Sequence, residues 1–244
     1  MKVGVLGGAG FLGSHVADEL TRRGYDVIVF DCKPSPYLLE GQVEFIGSIL
    51  DKQQVSEFVS MCEVIYNFAG LSDLNASVNE PELTLSLNVM GNLNVLEACK
   101  QHGGIKRFIY ASSAYVFSSK GSFYGISKRC SEQLIEEYHR ECSTNYTVIR
   151  YGSVYGPRAD EQNRVYRIIK QALKERKIES TLTLKKGGVS DLSFSQQKIK
   201  DELSDFLRAL SLSSPNSVDL NNNCSLSIQF LFIVFVKQLR IFHL

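Results

Sequence analysis

The chain has 244 residues, enough to bury a full core, and its 44% hydrophobic and 22% charged residues are an ordinary globular composition. The formal net charge is +1, with Lys/Arg and Asp/Glu interleaved rather than blocked, which argues against a nucleic-acid-binding stripe or an acidic tail and for a small-molecule partner. No segment reaches the roughly 18 unbroken apolar residues of a membrane span, residues 230–236 being the best candidate, so no membrane partner and a cytoplasmic location are expected.

Apolar runs of strand length alternate with helical patterns for most of the chain, the signature of a parallel sheet covered on both faces. Residues 2–6 are predicted as a strand, and 11–23 as a helix ended by Gly24. The start of the chain is not read as a signal peptide, because Gly4, Gly7, Gly8 and Gly10 interrupt its apolar stretch and no small-residue cleavage site follows. Strands are predicted at 27–30 and 43–46, a helix at 52–61 and a buried strand at 64–69. Pro81 opens a long helix to about Gln101, with Leu83, Leu87, Met90 and Leu93 near helical spacing. A strand at 107–111, a helix at 122–142, a strand at 146–150 and a helix at 165–176 complete the alternation. Beyond residue 180 the chain turns Ser- and Asn-rich and carries no motif. Residues 198–210 fit an amphipathic helix, with Ile199, Leu203, Phe206, Leu207 and Leu210 on one stripe, and 226–244 are apolar and β-prone. An apolar, unpaired 230–236 would be an aggregation liability.

The six cysteines (Cys32, Cys62, Cys99, Cys130, Cys142, Cys224) are scattered singly, and the four histidines do not complete metal-ligand spacing with them. Buried or half-buried thiols in a reducing compartment are expected, and no metal.

Two constellations carry chemistry. Gly7, Gly10 and Gly13 stand at G-x-x-G-x-x-G spacing between a predicted strand and helix. Such glycines form a tight turn, let backbone N–H groups approach a pyrophosphate, and let the helix pack close to the sheet. Asp31 closes the next strand about twenty residues on, where an acid accepts hydrogen bonds from the ribose hydroxyls and repels a 2′-phosphate. NAD is therefore expected over NADP, a preference that Lys33 softens without reversing. The alternative is an ordinary glycine-rich turn with a capping acid.

Farther along, Tyr124-Gly125-Ile126-Ser127-Lys128 places a tyrosine and a lysine four apart, on one helix face, and Ser113 falls just beyond the strand at 107–111. A phenol with an ordinary pKa near 10 is a poor base at neutral pH. A neighbouring ammonium and a positively charged nicotinamide would lower that value. The three groups could then deprotonate an alcohol while its carbon gives hydride to the cofactor.

These motifs resemble the extended short-chain dehydrogenase/reductase family, in its NAD-dependent nucleotide-sugar epimerase/dehydratase branch. The resemblance covers about residues 1–177. It runs through G-G-A-G-F-L-G-S-H, V-I-Y-N-F-A-G (64–70, with Asn67 where His is usual), N-V-M-G-N-L-N-V-L-E-A (88–98), R-F-I-Y-A-S-S-A-Y-V-F (107–117), Y-G-I-S-K and R-Y-G-S-V-Y-G-P-R (150–158). It implies a three-layer α/β Rossmann fold, a doubly wound parallel sheet, with residues 1–178 holding NAD and the catalytic groups. By resemblance Tyr124 is the base, Lys128 lowers its pKa and holds the nicotinamide ribose, and Ser113 positions the sugar hydroxyl. Gly7, Gly10, Phe11, Leu12, Gly13 and Asp31 would bind the cofactor together with Ser48, Ile49, Phe68, Ala69, Gly70, Asn88, Tyr124, Lys128 and Tyr151. Ser72, Ser113, Ala114 and Ser153 would face a nucleotide-sugar, a UDP-sugar first.

Further consequences follow from the resemblance. Ala114 and Tyr115 stand where the branch's 4,6-dehydratases carry an Asp-Glu pair, which ranks dehydration low. The stretch 69–81 resembles UDP-glucose 4-epimerases, which implies epimerisation in cell-surface polysaccharide synthesis. A homodimer through helices 81–101 and 122–142 is also implied. The pattern is departed from at Ser48, where Asp is usual, and at Ser153, where Asn is usual. The segment between Ser113 and Tyr124 is half the usual length, and nothing after Ile178 resembles the family's substrate region. Residues 179–244 are accordingly expected to be an atypical tail, a remnant of or replacement for that region, arising by truncation or a shift of reading frame. The alternatives kept open are a non-catalytic NAD-binding remnant and a nucleotide-sugar reductase or dehydratase.

Overall fold

In the computed structural model the described residues are 1–152, 154–161, 163, 166, 167, 170 and 225–227. They include the strands β1 (Lys2–Leu6), β2 (Asp26–Asp31), β3 (Val43–Ile46), β4 (Val64–Asn67), β5 (Arg107–Ser113), β6 (Tyr146–Tyr151) and β7 (Ser225–Ser227). The helices are α1 (Phe11–Arg22), α2 (Lys52–Ser60), α3 (Leu74–Asn79), α4 (Pro81–Leu85), α5 (Gly91–His102) and α6 (Ser122–Cys142). All strand pairings are parallel, in the order β3-β2-β1-β4-β5-β6-β7. This is the doubly wound arrangement that the alternation implied, with its switch point between β1 and β4, the crevice where open α/β sheets bind ligands.

β1, β2 and β4 read as continuous apolar runs because both sheet faces are covered: Val3, Val5, Leu6, Val27, Val29, Phe30, Val64 and Ile65 are buried. Phe30, Phe45 and Phe58 pack their rings together where α2 crosses β2 and β3. Each fully buried side chain of this size contributes about 1.5–3 kcal/mol relative to exposure. Asp51 caps α2 by accepting from the Gln53 and Gln54 N–H groups.

The chain divides into two compact units: Met1–Val154 with Leu220–Leu231, and Tyr155–Asp219 with Phe232–Leu244. The sheet belongs to the first. In the second, Gly156–Arg158 form a turn, with Ala159 N–H donating to Gly156 O at 3.2 Å, and Tyr166, Arg167 and Lys170 are helical, with Arg167 N–H donating to Asn163 O at 3.0 Å. The expected helices at 165–176 and 198–210 lie largely or wholly outside the described residues. So does the 226–244 segment, except for Leu226 and Ser227 in β7, and so do Cys224 and Ser153.

The structure departs from several expectations. The helix expected from Pro81 to Gln101 is interrupted: a π turn at Ser86–Met90 separates α4 from α5. α3 was not anticipated. Its six residues are too few for periodicity to speak, although Asp73, which caps it by accepting from Ala76 N–H, was a readable signal. β5 runs two residues further than expected, so Ser113 ends the strand rather than following it. Among the cysteines, Cys62 and Cys99 are buried and Cys130 and Cys142 half-buried, but Cys32 is exposed, because it follows the outer end of β2.

Candidate active site

The turn after β1 is shaped by close backbone approach. Gly7 has φ +74, and a Cβ there would stand 2.7 Å from Ala69 N and the Phe68 carbonyl carbon. A Cβ on Gly13 would stand 2.2 Å from Gly7 O. Both positions exclude any side chain, which lets α1 start hard against the sheet. No side chain caps α1, and its first turn contains no acid. The N–H groups of Phe11, Leu12 and Gly13 fall in the first helical turn, where no intrahelical acceptor exists and the helix dipole favours an anion. At the end of β2, Asp31 accepts from Ala9 N–H through one carboxylate oxygen at 3.0 Å. That bond ties the acid to the glycine turn. Turn, helix end and acid together fit the diphosphate and ribose of a dinucleotide.

Opposite this turn lies the loop after β4. Asn67 is buried and braces it, accepting from Ala69 N–H at 3.1 Å and donating to Asn92 Oδ1 at 2.9 Å. Phe68 and Ala69 are half-buried and Gly70 and Ser72 exposed. The Phe68 ring lies 6.3 Å from that of Tyr151 on β6. Asn88, in the π turn, is buried and brackets the loop: its Oδ1 accepts from Leu71 N–H at 2.7 Å and its Nδ2 donates to Leu71 O at 2.9 Å. Nδ2 also donates to Ser127 Oγ at 2.9 Å, and Ser127 Oγ donates to Tyr124 O at 2.8 Å. Contacts thus run unbroken from the glycine turn through the β4 loop to α6. The resemblance gave Asn88 to the cofactor; the structure gives its side chain to Leu71 and Ser127. Ser48 is exposed after β3, while Ile49 is buried against Gly91 at the start of α5.

The structure brings Ser113, Tyr124 and Lys128 together. The Ser113 hydroxyl acts on the Tyr124 phenol in the direction that favours the phenolate. The Lys128 Nζ donates to Ala111 O at 2.8 Å and lies 4.7 Å from the Tyr110 ring centroid and 5.8 Å from that of Tyr124. Burial pushes the Lys128 ammonium down to about 8, against the pull of the Glu132 carboxylate. Between Ser113 and Tyr124 the short segment folds as two 3₁₀ turns, Ala114–Phe117 and Ser119–Gly121. The first opens with half-buried Ala114 and sets the Tyr115 ring edge-on to that of Tyr124 at 6.3 Å. Sequence reasoning gave Tyr115 no place in the site.

One electrostatic expectation needs correcting. The Tyr124 phenol is raised, not lowered: burial outweighs the Ser113 hydrogen bond, and the nearby Tyr115 phenol adds to the rise. The Lys128 ammonium is turned to a backbone carbonyl and to the Tyr110 face, so spacing along the helix did not deliver the expected effect. Among the described residues no group of His, Cys, Asp or Glu could hold a metal.

The fold and this edge of the sheet define an α/β dinucleotide-binding protein. A sequence profile of the NAD dependent epimerase/dehydratase family matches residues 3–190, and the chain belongs to that family. A UDP-N-acetyl-alpha-D-glucosaminuronate decarboxylase of Bacillus cytotoxicus is 31% identical over 182 residues, 64% of this chain and 56% of that protein. The crystal structure of Thermus thermophilus UDP-glucose 4-epimerase in complex with NAD is similar at TM-score 0.65 and 30% identity, covering 72% of this chain and 63% of that one. Thermotoga maritima UDP-glucose 4-epimerase, crystallised with UDP-glucose, matches at TM-score 0.65 and 33% identity, over 70% and 62%. The chain therefore spans under two-thirds of the length of these relatives.

Proposed function

We propose that the chain is an NAD-dependent nucleotide-sugar epimerase that acts on a UDP-sugar through a keto-sugar intermediate, in the making of cell-surface polysaccharide. The observation that carries this reading is Ser113 acting on the Tyr124 phenol with Lys128 buried one helical turn away, on the sheet edge where the uncapped glycine turn also lies. Ser113 holds the reacting sugar hydroxyl, and Tyr124 takes its proton. Lys128 supplies the fixed positive charge and grips the nicotinamide ribose. NAD, when bound, would take hydride from the sugar carbon and return it to the opposite face, leaving no net redox change. Its positive ring would also oppose the burial that holds the proton on Tyr124.

The backbone of Gly7, Gly10, Phe11, Leu12 and Gly13 seats the diphosphate, and Asp31 the adenosine ribose. Ser48 and Ile49 flank adenine, and Phe68, Ala69, Gly70 and Tyr151 line the channel, with Asn88 setting the loop from beneath. Ser72 and Ala114 face the sugar-nucleotide. Residues 1–178 form the cofactor and catalytic region, and 179–244 stand in place of the usual substrate region. The protein acts as a cytoplasmic homodimer through α4, α5 and α6. Exposed apolar side chains on this set of elements support the pairing: Leu83 and Leu85 on α4, Met90 in the π turn, Phe123 and Ile126 on α6. Five free cysteines among the described residues agree with a reducing compartment.

The test is a panel of UDP-sugars offered to the purified chain with NAD, read by melting temperature and by interconversion of the sugar epimers. A ligand that binds only the folded state must raise the melting temperature. Interconversion by the wild type and none by Tyr124→Phe is the expected result. NAD binding with no response to any UDP-sugar would leave a nucleotide-holding scaffold in its place.

A further inference from the structure

Glu132 follows Lys128 by one turn of α6 and is buried. Its carboxylate accepts from Arg150 on β6 through both nitrogens of a fork, Nε to Oε1 at 2.9 Å and Nη2 to Oε2 at 2.7 Å. It also accepts from Ser112 Oγ on β5, the residue directly across from Arg150 in the sheet register. The Arg150 guanidinium in turn lies 4.6 Å from the Phe117 ring. Glu132 is thus fixed from both strands that α6 covers. Lys128 needs such a partner: it is buried, and its hydrogen-bond acceptor is a neutral carbonyl. An ammonium without a counter-charge in such a place sheds its proton.

We propose that Glu132 is a positioning residue for Lys128, a carboxylate clamped by Arg150 and Ser112 that serves as the fixed counter-charge holding the Lys128 ammonium on the Ala111 carbonyl beside Tyr124. The proposal rests on the reading in which Lys128 is the fixed positive charge of the reaction. The other titratable groups facing this cluster are Tyr110 from β5, Tyr146 and Arg150 from β6, and Tyr124, Cys130 and Glu136 along α6. Among the described residues only Glu132 acts on Lys128 as a charge; burial works against it. Arg150 orients Glu132 through its two-nitrogen fork. Exchanging the carboxylate for an amide would leave the buried Lys128 ammonium and the half-buried Arg150 guanidinium without this counter-charge.

The experiment follows the Lys128 side chain by NMR in the full chain labelled with ¹³C,¹⁵N-lysine, its signal identified by loss in Lys128→Met. No cofactor or substrate is added, so absence of sugar turnover would sink the functional reading without touching this one. A wild-type midpoint well below the ordinary lysine value, at about 8, is the expected starting point. Glu132→Gln should lower it by about one pH unit or more, the scale of losing an opposite charge within one helical turn. Glu132→Asp keeps the carboxylate but withdraws it, and should lower the midpoint by less. Ser112→Ala removes a hydrogen bond and no charge, and should leave it within about a few tenths of a unit. A midpoint unmoved in folded Glu132→Asp and Glu132→Gln overturns the proposal. So does a fall in Ser112→Ala as large as that in Glu132→Gln, because packing rather than charge would then control the lysine. Should Glu132→Gln fail to fold, Glu132→Asp decides alone: an unmoved midpoint overturns the proposal and a lowered one supports it.

Discussion

The turn after β1 and the turn after β5 lie on the same edge of one parallel sheet but are built from different materials. The first is almost all backbone: Gly7 and Gly13 have no room for a Cβ, and the helix end they expose has no capping side chain. The second is almost all side chain: Ser113 and Tyr115 act on the Tyr124 phenol, and Glu132 on the Lys128 ammonium. A backbone site tolerates no added atom but needs no tuning. A side-chain site tolerates neighbours of many shapes, and its chemistry is set by whatever buries it.

Substitutions can break that contrast. Gly13→Ala should have the largest effect, since its Cβ would meet Gly7 O at 2.2 Å with only backbone to yield. A loss of about 3 kcal/mol or more of stability is expected, at the upper end of overpacking costs, together with loss of NAD binding. Chemical denaturation and NAD titration of the variant read both. Near-wild-type stability would mean the turn can relax.

Tyr124→Phe should lower any turnover by about 10²-fold or more, the scale of losing a positioned acid–base group. NAD affinity should stay within about threefold, since the cofactor contacts of the backbone turn are untouched. Parallel loss of both would make the tyrosine structural and erase the distinction between the two turns. Asp31→Ala is the one side-chain change in the backbone site. It removes both the ribose acceptor and the bond to Ala9 N–H, so NAD should weaken by about tenfold, as for a hydrogen bond to a charged group. Its advantage over NADP should narrow as well. Titrating both nucleotides decides this, and an unchanged ratio would remove Asp31 from the selection.

The smallest effect sharpens the comparison through pH. Lys128 titrates near 8 in the folded chain against an ordinary 10.5, so above pH 8 the unfolded chain holds the extra proton and stability rises with pH. Burial also raises the Cys62 and Cys99 thiols to about 12 from 9, so above pH 9 the folded chain holds the extra protons and stability falls again. Urea midpoints should therefore rise by no more than about 1 kcal/mol equivalent between pH 7.5 and 9 and decline beyond. In Lys128→Met the rise should vanish. A rise that persists in that variant would assign it to another group.

The sequence by itself determined the parallel α/β sheet, the glycine turn, Asp31 at the end of β2, and the pairing of Tyr124 with Lys128 on one helix face. Each depends on local spacing: two-residue and 3.6-residue periods, and glycines where a backbone must come close. Tertiary structure alone decided the π turn at Ser86–Met90, the bracketing of Leu71 by Asn88, the ring of Tyr115 against Tyr124, and the clamp of Ser112 and Arg150 on Glu132. It also reversed the expected direction at Tyr124, because a pKa is set by the solvent removed and the charges brought near, and chain spacing specifies neither.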